Sequence, residues 1–238
     1  MKEIESELDC IEEAVLKGDY SLKEMGFWRI VMKVKKDPEL THKFADQIGR
    51  IDQALFRAKA RVSIPLKVGH FIEIAMTLFV IVILYRLLSS GIYTGIALLA
   101  GTFVLMGTLH PLAHWAVGRI FGIKFTFYFP DGPALIEPTI KTDYATYLRA
   151  APMKRALMHA AGPIISTFVI VAALAAATAI KAPSWASWLL LGFLIFNAIF
   201  EALPPLWVKL GMKSLAKSDA YRVWREWKIH RLYVSRRT

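Results

Sequence analysis

The sequence predicts an all-α polytopic membrane protein. It has about four transmembrane helices, a short β element in a cytoplasmic loop and a helical N-terminal region. Three observations carry this reading. Hydrophobic residues make up 55% of the 238 and the mean hydropathy is +0.42, high for a soluble globule. The apolar residues gather into runs that approach or exceed the roughly 20 residues a spanning helix needs. Lys plus Arg outnumber Asp plus Glu by 30 to 19, and the excess falls on alternate sides of those runs, as the positive-inside rule expects.

Residues 1–67 form a first region, densely charged but nearly neutral, with 13 Lys/Arg and 12 Asp/Glu. In "IESELDCIEEAVL", Ile4, Leu8, Ile11 and Leu16 fall near one helical face. In "KFADQIGRIDQALFRAKARV", Phe44, Ile48, Ile51, Leu55 and Phe56 do the same. Two to four cytoplasmic helices follow from this spacing. A break is expected at "KDPEL", because Pro38 disfavours helix at the residue before it. Such a region either packs on the membrane core or docks a partner or sister subunit. The start "MKEIESELDC" is acidic and polar, so no cleavable signal peptide is expected. The single Cys10 excludes an internal disulfide framework and a cysteine-based zinc cluster.

Four spans are expected in the core, residues 68–205: at about 68–88, 92–117, 157–180 and 185–205. Between the second and third lies a loop, 122–156, with Lys124, Lys141, Arg149, Lys154 and Arg155. The opposite side receives only the short segments 89–91 and 181–184. Both termini and the 122–156 loop are therefore expected in the cytoplasm, with Trp185 and Trp188 in the far interfacial belt. Within the loop, "IKFTFYF" (123–129), bounded by "PDGP", reads as a strand with an edge to which an extended peptide could add. The tail, 206–238, carries nine Lys/Arg among Trp207, Trp224, Trp227 and Tyr233. It reads as an interfacial amphipathic helix on anionic lipid, and no nucleic-acid partner is expected. The sequence leaves the oligomeric state open, a homo-oligomer included.

The chemistry-bearing stretch is "GTLHPLAHWAVGRIFGIKF", 107–125. His110 and His114 stand at i and i+4, share one helix face and can hold one metal ion together. A pair alone equally fits two histidines hydrogen-bonded to neighbouring helices. Polar groups inside a span are costly, which makes them functional candidates by default.

"HPLAHWAVGRIFGIKF" resembles the zinc-binding helix of the site-2 proteases, the intramembrane metalloproteases, through His110, His114, Arg119 and the following "FGIK". "AAGPIIS" (160–166) resembles that family's Ala-Gly-Pro-x-x-Asn element, with Ser166 in place of the Asn. "FNAIFEALPP" (196–205) and the later "KSDAYR" (217–222) resemble the third element, in which an aspartate completes the metal site. The resemblance covers roughly 92–222 and implies zinc on His110, His114 and Asp219, with an open position for water. It also implies substrate contacts at Gly162, Pro163, Ser166 and Asn197, and membrane-anchored protein substrates or partners within the bilayer.

The chain departs from the family at the general base. There a glutamate follows the first histidine, and here Pro111 stands in its place. Proline has no proton-accepting group, and loss of a general base costs on the order of 100- to 10,000-fold in rate. Pro111 also removes the N–H that would bond the Gly107 carbonyl. Two other carboxylates lie within spans, Glu73 and Glu201. Each can be an interhelical polar contact, and Glu201 is the better substitute base because it adjoins "LPP". His70 and His159 read as structural or interfacial. For Asp219 the alternative is a solvated tail aspartate, since it stands 14 positions beyond Pro205 and Ala220 and Tyr221 replace the family's glycines.

Three functions remain. The first is a catalytically impaired site-2-protease homologue that binds transmembrane or membrane-anchored partners. The second is an active intramembrane zinc protease that uses a displaced acid or hydroxide alone. The third is a non-enzymatic membrane anchor or assembly factor in which the histidine pair is incidental.

Overall fold

A computed structural model describes residues 1–87, 92–131 and 137–235. The far-side turn expected at 89–91 lies outside them, as does the second half of "PDGP". The chain is mostly helical, with one small sheet. Three helices make up the N-terminal region: α1 (Lys2–Leu16), α2 (Phe27–Val34) and α3 (Pro38–Lys59). The break at "KDPEL" is where the sequence places it. Asp37 sits in extended backbone, its carboxylate accepts hydrogen bonds from the N–H groups of Glu39 (3.0 Å) and Leu40 (3.3 Å), and Pro38 opens the helix where an N–H is not needed. The apolar face of α1 is made by Leu8, Ile11 and Val15, while Leu16, expected on that face, is exposed. Residues 8, 11 and 15 keep a 3–4 spacing that residue 16 overshoots.

Four helices are long and apolar enough to cross a membrane: α4 (Leu66–Leu87), α5 (Ile92–Ile120), α7 (Pro152–Ala179) and α8 (Ser184–Ala202). Their outward faces carry large exposed apolar side chains, among them Phe71, Phe79, Phe168, Trp188 and Phe196. α5 lies between α4 and α7, and α7 also contacts α8. Two boundaries differ from the sequence reading. α7 begins at Pro152 and not at 157, since Pro152 is pre-organised for a first helical turn. Lys154 and Arg155, expected in the loop, are therefore helical, and Arg155 is fully buried. α8 stops at Ala202, because Pro204 and Pro205 have no N–H to continue it; Pro204 instead opens α9 (Pro204–Lys209).

The expected strand is present as β2 (Phe125–Asp131), but it is not an edge. It is the central strand of an antiparallel sheet, flanked by β1 (Ile64–Pro65) and β3 (Glu137–Thr142). β3 pairs along one edge, and β1 covers Phe127 and Tyr128 on the other. A short helix, α6 (Tyr144–Arg149), follows β3 and is capped by Asp143, whose carboxylate accepts from the Thr146 N–H at 2.8 Å.

The N-terminal helices share one apolar core with this element group. Leu8, Phe27, Ile48 and Ile51 pack in the same cluster as Ile123, Phe125, Tyr128, Ile140, Leu148 and Met158. α3 meets α6 closely: a Cβ on Gly49 would lie 2.8 Å from the Ala145 Cβ and 3.0 Å from its backbone nitrogen. After α9 and a 3-10 turn (Lys213–Lys217), the last helix, α10 (Asp219–Ser235), packs along α7. The tail expected to lie on the bilayer surface thus buries one face, including Glu226 and Ile229, against the protein.

Candidate metal centre

The helix α5 runs continuously through Pro111. His110 and His114 therefore keep their i, i+4 relation, with ring centroids 4.7 Å apart and Nε2 atoms 3.0 Å apart. Each ring is fixed through its other nitrogen. His114 Nδ1 donates to the Met158 carbonyl at 2.7 Å, and His110 Nδ1 lies 3.0 Å from Ser166 Oγ. Both partners are on α7, and both Nε2 atoms are left facing inward. Such contacts to the outer nitrogen set the tautomer and orientation of metal-binding histidines.

The third group arrives from 105 residues beyond His114. Asp219 is the first residue of α10, and its Oδ2 lies 3.2 Å from His110 Nε2 and 3.1 Å from His114 Nε2. One ligand atom from each of the three residues falls within 4.8 Å of the others. The other carboxylate oxygen, Oδ1, lies 3.3 Å from His159 Nδ1 and 3.5 Å from Arg222 Nη1. Burial opposes ionisation of Asp219, but its bonds to His110, His114 and His159 hold its carboxyl well below the ordinary carboxylate range.

The residues present fit a metal ion on two grounds. The first is proton bookkeeping. Because His114 Nδ1 faces a carbonyl it carries the hydrogen, so a neutral ring turns the Nε2 lone pair toward the Asp219 carboxylate and a second imidazole nitrogen. These groups call for a positive charge between them, which a proton shared with Asp219 or a metal ion supplies, and two imidazoles with one carboxylate suit zinc. The second is space. Gly162 on α7 faces the pair, and a Cβ there would stand 2.4 Å from His114 Nε2 and 2.5 Å from His110 Nε2. Only glycine leaves that approach open.

The remaining predicted positions divide. Ser166 is buried against His110, and Gly162 lines the centre, with part-buried Pro163 next to it on α7. Asn197 is turned elsewhere: its Nδ2 donates to Thr167 Oγ1 at 3.1 Å and ties α8 to α7. Glu201, half-buried on α8, lies within electrostatic reach of Asp219 and His114. Glu73 is buried on α4 beside Tyr128, whose Oη is 2.9 Å from His70 Nδ1. At the position after His110, buried Pro111 offers no titratable group. Sequence reasoning left His159 as structural, whereas it contacts Asp219. The available signal was its i, i+3 relation to Gly162, which places both on one face of α7.

The chain has no significant match among protein-family models, characterised proteins or solved structures.

Proposed function

We propose that the chain is a polytopic membrane protein with a site-2-protease-like core and a zinc centre on His110, His114 and Asp219. In this reading it binds transmembrane segments or membrane-anchored partners and is impaired in peptide-bond cleavage. The observation that carries the reading is the convergence of those three side chains beside a residue, Pro111, that cannot accept a proton. The four apolar helices and the placement of basic residues support both termini in the cytoplasm. Zinc bound there would supply Lewis acidity and lower the pKa of a coordinated water. This chain's residues orient the ligands: Ser166 and the Met158 carbonyl fix the two rings, and His159 and Arg222 hold the outer oxygen of Asp219.

Purified full-length protein in detergent should carry about one zinc per chain, and His110→Ala should abolish it. It should leave a transmembrane peptide uncut, while Pro111→Glu should gain chelator-sensitive cleavage. Absence of bound zinc under zinc-replete conditions would eliminate the metal reading. A second reading, a working intramembrane zinc protease, is favoured by one observation, the nearness of Glu201 to Asp219 and His114. Chelator-sensitive cleavage by the wild type, lost in Glu201→Gln, would establish it in place of the first.

A further inference from the structure

Asp219, Glu226 and Tyr233 are spaced seven residues apart along α10. Two helical turns separate each from the next, so the three lie near one face, each about 10 Å further along the axis. Asp219 reaches the histidine pair at one end of that face. At the other end, Tyr233 Oη donates to the Lys35 backbone carbonyl at 3.0 Å. Between them Glu226, with no exposed surface, pairs with Lys35 Nζ, and its Oε2 accepts from Arg155 Nε at 2.8 Å. α10 is thus fastened at two of its three inward positions to residue 35, the C-cap of α2 in the N-terminal region.

A second connection runs through side chains alone. Tyr147 Oη donates to Glu226 Oε1 at 3.0 Å and lies 3.0 Å from His159 Nε2. His159 Nδ1 in turn lies 3.3 Å from Asp219 Oδ1. Burial, and then the Glu226 carboxylate beside it, raise the Tyr147 phenol well above its ordinary range, so it remains a donor. Lys35 and Arg155 also approach the face of the Tyr147 ring, at 5.0 and 5.5 Å from its centre. The path from Lys35 to Asp219 therefore passes only through buried or partly buried groups. Nothing in "VMKVKKDPEL" distinguishes Lys35 from Lys33 and Lys36, yet it alone of the three is fully buried.

We propose that Lys35 and Tyr147 are positioning residues for the metal centre: the N-terminal region, through its hold on one face of α10, sets where Asp219 stands relative to His110 and His114. This rests on the metal reading above, and it assigns the N-terminal helices a part in building the centre. Asp219 follows a 3-10 turn and opens its helix, and from its own helix Arg222 reaches only the outer oxygen, so the place of Oδ2 depends on how α10 sits. Displacing the N-terminal helices would withdraw support from the third ligand while the two histidines kept theirs from Met158 and Ser166 on α7.

The test uses full-length protein in detergent. Zinc affinity is measured by competition with a chromophoric chelator for wild type, Lys35→Met and Tyr147→Phe, and amide hydrogen exchange is followed across residues 218–222. Lys35→Met keeps the buried aliphatic volume, and Tyr147→Phe removes one hydroxyl. Each is expected to weaken zinc by about 10- to 100-fold, the range for residues that orient metal ligands, and to speed exchange at the start of α10. Affinity within twofold of wild type in both variants, with helicity retained, would overturn the proposal. If Lys35→Met does not fold, Tyr147→Phe decides alone. If the wild type holds no zinc, the metal reading falls, and exchange decides positioning: unchanged protection at 218–222 in Tyr147→Phe would refute it.

Discussion

Replacing Gly162 with alanine should separate stability from metal binding. Gly162 lies inside α7, where alanine is intrinsically favoured over glycine by about 1 kcal/mol. On helix propensity alone the variant gains stability. At the centre the effect is opposite. The new Cβ would stand 2.4 Å from His114 Nε2 and 2.5 Å from His110 Nε2, whereas ordinary contact begins at 3.4 Å. The rings must therefore withdraw by about 1 Å, several times the ±0.2 Å within which metal–ligand distances hold. Zinc affinity should fall by at least about 100-fold, beyond what loss of an orienting contact does. The strain of displacing the rings, about 1–3 kcal/mol for overpacking, offsets the helix-propensity gain, so the melting temperature of the zinc-free protein should stay near wild type or fall modestly. Gly192→Ala on α8 is the matched control, because nothing lies within 4 Å of a Cβ there, and it should keep wild-type zinc. Elemental analysis, chelator competition and thermal melting in detergent read all three quantities. A folded Gly162→Ala protein with wild-type zinc affinity would refute the assignment of the centre to the face between α5 and α7.

Two further outcomes concern the buried ion cluster and its surroundings. Burial opposes ionisation of Glu226, but Lys35 and then Arg155 hold its pKa at about 2, below the ordinary 4.5. The group thus contributes stability that is fully present above about pH 4.5 and lost as pH falls toward 2, with an upper bound of about 3 kcal/mol. Wild type should exceed Glu226→Gln in melting temperature at neutral pH, and the gap should close between pH 5 and 2; a gap independent of pH would show that Glu226 is not ionised in the fold. Asp143→Ala removes the cap of α6 and should destabilise the protein by about 1 kcal/mol in chemical denaturation; an unchanged midpoint would show that packing alone holds that helix.

Local signals in the chain were sufficient for local structure. The break at Pro38, the strand near 125–131 and the four apolar helices follow from proline chemistry, β-branched and aromatic composition and run length. They did not predict which neighbours those elements would meet. β2 has the composition of a strand whether central or at an edge, and only its pairing with β1 and β3 decides which. Lys154 and Arg155 read as cytoplasmic loop cations because charge counting ignores contacts. Arg155 has Glu226 as a partner from 71 residues away, which is what allows it to be buried.

The sequence by itself determined that His110 and His114 share a helix face and that Pro111 lies between them, since both facts depend on spacings of one to four residues. It left Asp219 balanced between a ligand and a solvated tail residue. Tertiary structure removed the solvated alternative through the packing of α10 on α7, which brings Asp219 to 3.1 Å from His114 across 105 residues of chain. It also decided that Lys35 is a buried partner of α10 while Lys33 and Lys36 are not. Helical periodicity is written into every few residues. The burial of a charge depends on an opposite charge arriving from a distant segment, and no short stretch of sequence records that meeting.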